Sequence, residues 1–234
     1  MKKQICIALL ATLLFSPSMR AIDYTVYGGM SMPRSNFADV ASTGVNVGAK
    51  AFFPVTKHLS LIGSVDLFRN PSNGVALGTK YGMIPTSSEY SLSCTGNTSF
   101  TNVPVMGHLH FGVKPKDKDL RFWCEGAMGA NVRIMSPERY SLSMPVGSST
   151  TLEPGNYTIV SHFDNKLTFA TLTSIGFTFH SRFSIGLIWY RLGRAPITGD
   201  IGVTNHTTGI TEHRSFEYDR LKTRVRVMRF ALSF

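Results

Sequence analysis

The sequence predicts an all-β protein: an eight-stranded antiparallel transmembrane up-and-down β-barrel with short periplasmic turns and long extracellular loops. Three observations carry this prediction. Period-two alternation dominates the chain after about residue 22, and no helix-length stretch there keeps a 3.6 period. Most of the alternating segments reach the 9–11 residues that a tilted membrane strand needs, whereas ordinary strands average about 5–6. The connections between them alternate in length, short then long, as they do in outer-membrane barrels.

The eight expected strands fall at 23–31, 43–53, 58–69, 99–113, 119–133, 165–178, 181–193 and 221–234. Short turns occupy Pro54–Lys57, Lys114–Lys118 and Phe179–His180, and long loops occupy 32–42, 70–98, 134–164 and 194–220. An even strand number returns the C-terminus to the side of entry, so every long loop lands on the opposite side from every short turn. The loops carry Tyr, Ser, Thr, Asn and Gly, as at Ser87–Ser93 and Ser148–Thr158. The segments 89–93 and 139–143 both read acid or base, then Tyr-Ser-Leu-Ser. That echo predicts loop hairpins that extend the barrel above the membrane.

Composition narrows the class further. Hydrophobic types make up 43% of the 234 residues and charged types 16%, against about 25% charged in an average globular chain. A disordered, collagenous or coiled-coil chain is excluded, and three cysteines do not staple a mini-domain. The N-terminus has the pattern of a secretory signal over residues 1–21. Lys2 and Lys3 are basic, Ile5 to Phe15 is apolar, and Ala21 is a candidate last residue before cleavage. The apolar run is too short to span a bilayer, and no later stretch offers 18 continuous apolar residues. Residues 22–234 are expected to form one barrel domain.

The net charge is +10. Basic residues are scattered, with a local bunch at Arg220, Lys222, Arg224, Arg226 and Arg229. Alternation with apolar residues in an exported chain argues against a nucleic-acid partner. Acidic lipid headgroups or another anionic surface account for the charge more simply.

Each strand has one apolar and one mixed face. In the last, Met228, Phe230, Leu232 and Phe234 oppose Val227, Arg229, Ala231 and Ser233; in the third, Leu59, Leu61, Val65 and Leu67 oppose Ser60, Ile62, Ser64 and Asp66. A soluble barrel would turn the apolar face inward and a membrane barrel outward, so alternation alone leaves both open. The mixed face is rich in small residues such as Gly48, Ser64, Ser184 and Gly186, which suits a crowded narrow interior better than a solvent face. Lys50, Asp66, Glu125 and Arg229 fall on the mixed faces of four different strands. They are candidates for a lumen ionic network, either a packing device or the gate of a small water path. His108 and His110 share one face, but a metal site would need a third ligand such as Asp66 or Glu125. Lumen filling is the plainer reading, and no metal or other cofactor is expected. Cys94 and Cys124 discriminate between the classes: near opposite rims of a membrane barrel they cannot bridge, whereas a soluble domain would pair them. The chain has no G-x-S-x-G, H-E-x-x-H or Walker loop, so no enzymatic activity is expected.

Three features carry a resemblance: the terminal strand Val225 to Phe234 ending in phenylalanine, the strand Asn102-Val103-Pro104-Val105, and Phe122 to Asn131 with Glu125, Gly126 and Gly129. In these the chain is similar to the small eight-stranded outer-membrane β-barrel proteins of Gram-negative bacteria, the OmpA-like and OmpX-like group, over about residues 22–234. It departs from the OmpA pattern in having no peptidoglycan-binding domain after the barrel. The resemblance implies that Phe230, Leu232 and Phe234 form the signal read by the barrel-insertion machinery. It also implies a cell outer-membrane location. The expected function is a structural or surface-contact role through the extracellular loops, without catalysis. The alternatives are a narrow gated pore for ions or small solutes, and a soluble exported β-barrel binding module. Expected partners are outer-membrane lipid and lipopolysaccharide, the insertion machinery and an unknown extracellular ligand, met by a monomer.

Overall fold

The structure, a computed structural model, describes residues 23–84, 91–95, 98–113, 119–145, 153–180 and 182–234. The expected export signal at 1–21 and the turn Lys114–Lys118 lie outside the described residues. The strands among the described residues are β1 (Asp23–Arg34), β2 (Gly44–Pro54), β3 (Leu59–Pro71), β4 (Ser91–Thr95), β5 (Ser99–Val113) and β6 (Leu120–Met135), followed by β7 (Glu138–Met144), β8 (Gly155–Phe163), β9 (Lys166–Phe179), β10 (Phe183–Asn205) and β11 (Thr211–Ser233). A short helix, α1, covers Gly74–Lys80, and a 3-10 turn covers Ser35–Phe37. All eleven strands belong to one antiparallel sheet.

The expected count of eight strands, and the eight-stranded family that it implied, are therefore corrected to eleven. Stretches that alternation leaves as long loops are themselves strands. β4 lies within 70–98, β7 and β8 lie within 134–164, and most of 194–220 continues β10 and β11 as one long hairpin. The simple up-and-down order fails with the count, because β3 pairs with β5 and β6 with β9.

The sheet closes on itself through β11, which pairs with β10 on one side and β1 on the other. The ring runs β11, β1, β2, β3, β5, β6, β9, β10. From the far half of β10 the sheet continues outside the ring through β8, β7 and β4. Short connections gather at one end of the ring and the extension stands at the other.

A bulge makes that continuation. Gly193, at φ +94, sits where the β10–β11 register slips between Arg191 and Arg194. A glycine tolerates this backbone conformation without strain. The slip turns the Leu192 carbonyl into the lumen, where Asn131 Nδ2 donates to it at 3.0 Å and Thr168 Oγ1 at 2.7 Å.

Above the ring, the far halves of β10 and β11 with β8, β7 and β4 form a curved sheet over α1. Tyr140, Leu142, Ile159, Ile197 and Ile201 project inward from it and are fully buried together with Leu77 of α1. Asn73 caps the helix by accepting from the Ala76 amide at 3.1 Å. The helix approaches so closely that a Cβ on Gly74 would fall 2.3 Å from Cys94 Sγ and from Glu138 Oε2.

Candidate functional site

Alternation fixes which side chains enter the ring, and the structure turns the apolar face out. Val26, Val65, Val105, Leu109, Phe169 and Ile175, from four strands, are each at least half exposed. Exposed valines, leucines and phenylalanines continue around the ring, a belt far larger than the isolated apolar patches of a soluble surface. Such a belt is stable only against lipid.

Inside, the four candidate charges occupy the lumen as two pairs. Lys50 Nζ lies 2.5 Å from Glu125 Oε2. Glu125 also meets His110 Nδ1 at 3.0 Å and His108 Nδ1 at 3.3 Å, and accepts from Ser174 Oγ at 3.3 Å. One layer further in, Arg229 Nη2 donates to Asp66 Oδ1 at 2.7 Å. Asp66 Oδ1 also accepts from Asn46 Nδ2 at 3.1 Å and from the Tyr190 hydroxyl at 3.0 Å. The Tyr190 oxygen in turn accepts from Arg229. The guanidinium stands 3.7 Å from the centroid of the Tyr27 ring. All four charged residues are buried, and pairing is what makes burial of charge tolerable. His108 and His110 are held by the same carboxylate. Among the described residues no group of three or more His, Cys, Asp or Glu is arranged to hold a metal.

The layers above are packed with buried side chains. Phe68 packs edge-on against Tyr190 at 4.7 Å, and Leu172, Ile188 and Val227 are buried beside them. Next comes an amide layer: Asn131 Nδ2 donates to Asn102 Oδ1 at 3.1 Å, while Asn70 and Ser31 bond reciprocally at 3.0 and 3.1 Å. Higher still, Arg133 has no carboxylate partner among the described residues. It donates to the carbonyls of Pro196 at 2.9 Å and Ala195 at 3.3 Å, and α1 with Phe37 lies over the mouth. At the opposite end the lumen opens into a vestibule of about 1010 Å³. Tyr27, Lys50, Glu125 and Arg229 are among its inner lining, and Phe52 and Trp123 line its wall. Its outer lining includes Pro54, Lys57, Asp119 and His180, so it opens at the end with the short turns.

Room for these rings is built into the sequence. A Cβ on Gly48 would meet the Tyr27 ring at 2.6 Å, and one on Gly186 would meet the Trp123 ring at 2.6 Å. Alternation finds Lys50, Asp66, Glu125 and Arg229; it also puts Asn46 and Tyr190 on mixed faces without marking them as their partners, and it passes over Tyr27 and Arg133. Tyrosine counts as an apolar type, and no local pattern says which polar groups meet across a ring.

The extension supplies the second feature. The Ser-Leu-Ser echoes at 91–93 and 141–143 pair with each other: Ser91 faces Ser143, Leu92 faces Leu142 and Ser93 faces Ser141. β4 therefore finds its partner 44 or more residues away in the chain, whereas β7 also forms the expected hairpin, with β8, inside the loop 134–164. Leucines point to α1 and serines point outward. With Asn156, Thr158 and His206 these serines line a shallow groove of about 260 Å³ on the outer face.

Beneath that face lies Glu138, a buried carboxylate outside the membrane belt. It accepts from Ser72 Oγ at 2.5 Å, Tyr140 OH at 3.3 Å and Cys94 Sγ at 3.5 Å. Burial, and then the Glu138 charge, push the Cys94 thiol up to about 11. Near pH 8 it should therefore hold on the order of a hundredfold less thiolate than an ordinary cysteine. Labelling by a charged maleimide in a Cys6→Ser/Cys124→Ser background should be correspondingly slow. Glu138→Gln should speed it, and labelling as fast as free cysteine would refute the assignment. Cys94 and Cys124 are both free, and Cys124 is exposed on the belt.

A closed antiparallel ring with an apolar outer belt and a polar interior is a transmembrane β-barrel of the outer-membrane class, and the outer membrane is its location. In that class the short turns face the periplasm, and here the extension of β4, β7 and β8 stands at the end opposite the short turns. No protein-family model matches the sequence, and no curated protein does. Among solved structures the chain is similar to Neisserial surface protein A (9% identity over 91% of this chain and 95% of that one, TM-score 0.47). It is also similar to the attachment invasion locus protein Ail of Yersinia pestis (13% identity, 92% and 100% covered, TM-score 0.42). A third is a major outer membrane protein of Thermus thermophilus (10% identity, 92% and 100% covered, TM-score 0.48). Similarities this low assign no function.

Proposed function

We propose that this is a non-enzymatic outer-membrane barrel with a structural or surface-contact role, acting through its extracellular sheet while its lumen stays shut. The observation that carries the reading is the division of the chain. The ring interior is filled layer by layer, whereas the extension spends three strands and a long hairpin on a hydroxyl-rich outer face. Serine, threonine, asparagine and tyrosine suit adaptable polar contact with an extracellular ligand. Residues 1–21 serve as the export signal in this reading. Outer-membrane lipid and lipopolysaccharide surround the belt of a monomer.

Phe230 and Phe234 are exposed on the outside of the last strand, and Leu232 is half-buried beside them. They are the residues we assign to recognition by the insertion machinery. The exposed belt and the free cysteines speak against the soluble module. Against the pore reading stand the paired charges and the packed Phe68–Tyr190 layer.

Planar-bilayer recording tests the closed lumen. The wild-type protein should be silent, and so should Lys50→Met/Glu125→Met, because the layers above still fill the ring. Stable wild-type conductance that changes with Arg229→Ala or Glu125→Ala would overturn the closed-lumen reading in favour of a gated pore.

A further inference from the structure

We infer that the outer wall of β1, β10 and β11 carries a binding site for the phosphates of an outer-leaflet glycolipid, centred on Arg34, Arg191 and Arg224. The inference rests on the outer-membrane reading and adds a specific site to it.

The three arginines stand side by side. Arg224 on β11 is directly opposite Arg34 on β1 and directly opposite Arg191 on β10. Directly opposed residues on a sheet lie about 4.5–5.5 Å apart at the backbone, so three guanidinium groups leave one small patch of wall. Lys222 and Arg194 face each other in the next row outward. All five side chains are exposed, and none of them forms an ion pair among the described residues. Of the acids nearest in sequence, Glu217 and Asp219 lie farther along β11, beyond Arg220 and away from the belt, and Asp39, five residues from Arg34, is paired with Lys80 at 2.5 Å.

Like charges directly opposed on a sheet are destabilising. A fold that sets three in a row, without a carboxylate among them, is relieved by an anion from outside the chain. Planar guanidinium forks match phosphate oxygens in pairs.

The height of the row identifies the source of that anion. Outward positions on β1 read Tyr24, Val26, Gly28, Met30, Met32, Arg34 from the periplasmic end. Ten residues of strand tilted by roughly 40° rise about 26 Å, which matches an apolar band about 25 Å tall. Arg34 therefore sits where hydrocarbon gives way to headgroups on the extracellular side. The row just below agrees. Arg226 lies between Met32 and Trp189 and stands 6.0 Å over the Trp189 ring, and outward tryptophans mark the membrane interface. A phosphorylated lipid whose chains lie along Met30, Met228 and Leu187 would bring its phosphates to the arginines.

The test folds the protein into phosphatidylcholine vesicles containing either bisphosphorylated lipid A or lipid A stripped of its phosphates. The readout is the temperature at which the folded gel band converts to the unfolded one. With saturating bisphosphorylated lipid the wild-type midpoint should rise by about 5 °C or more over the stripped lipid. The Arg34→Gln/Arg191→Gln/Arg224→Gln variant should lose that difference. Its midpoint in plain vesicles should equal or exceed that of wild type, because the repulsion is gone; a merely structural role for the arginines would lower it. The corresponding triple Lys variant should keep part of the response.

Equal midpoints with the two lipids, a difference that survives the triple Gln change, or the same rise with inorganic phosphate in the buffer would overturn the site. Failure of the wild type to insert into vesicles at all would instead overturn the outer-membrane reading beneath it.

Discussion

A chain cut before Arg229 should fail to assemble. The lost segment pairs with β1 from Gly29↔Arg229 to Thr25↔Ser233 and with β10 from Gly186↔Arg229 to Phe183↔Leu232. Its removal leaves two strands with unpaired backbone groups at membrane depth, where each unsatisfied group costs several kcal/mol. Partial compensation by the remaining half of β11 is geometrically barred, because residues 211–223 already lie above the belt. The truncated chain should give no heat-modifiable band in detergent gels and should remain extractable from membranes by urea. Phe230→Ser/Leu232→Ser, which keeps every backbone pairing, should be milder but still impaired, since burying a phenylalanine side chain in an apolar medium contributes roughly 1.5–3 kcal/mol. Wild-type yields of folded protein from the truncated chain would show that the last strand does not close the ring.

The second large effect concerns the inner charge pair. Asp66→Ala should destabilise the barrel by about 3–5 kcal/mol, the usual consequence of leaving one partner of a buried pair uncompensated. The abandoned charge is Arg229, whose Nη2 loses Asp66 and keeps Asn46 Oδ1 at 3.1 Å and the Tyr190 hydroxyl. The double change Asp66→Leu/Arg229→Met removes both charges and keeps apolar volume, so it should cost less than Asp66→Ala alone. Urea unfolding of the three proteins in vesicles gives the comparison. A double variant less stable than the single one would mean that the pair contributes more than charge compensation.

Sequence pattern carries the ring well and the extension poorly, for reasons that lie in particular residues. The expected segment 99–113 coincides with β5, and 119–133 covers all but the last two residues of β6, because a strand between lipid and lumen alternates without interruption for its whole length. β10 is harder. Gly193, Pro196, Gly199 and Gly202 break its alternation after Leu192, so residues 194–220 look like a loop although the strand runs on to Asn205. β4 has only five residues, and its partner β7 is remote in sequence. The Ser-Leu-Ser echo is the one trace of that pairing, and an echo does not say what it pairs with. In the lumen, charge marks Lys50, Asp66, Glu125 and Arg229 as a set. The split into Lys50 with Glu125 and Arg229 with Asp66 depends on the stagger of strands around the ring, which no single strand encodes. The outward row Arg34, Arg224 and Arg191 is hidden for the same reason: the three residues are far apart in the chain and become neighbours only when β11 lies between β1 and β10.

That last arrangement also sets an order of events. Thr25 Oγ1 and Ser233 Oγ meet at 2.8 Å across a sequence separation of 208 residues. Bringing such distant ends of a flexible chain together carries an entropic cost of roughly 5 kcal/mol, which hairpins such as β2–β3 do not face. Neighbouring strands therefore zip early and the seam between the first and last strands is made at the end. Topologies dominated by such distant pairings form slowly. Until the final residues arrive, the future lipid face of every strand is an unprotected greasy surface in water. The interval between leaving one membrane and settling in the next is the vulnerable stage in the life of this molecule, and it calls for an escort that shields those faces until the seam is made.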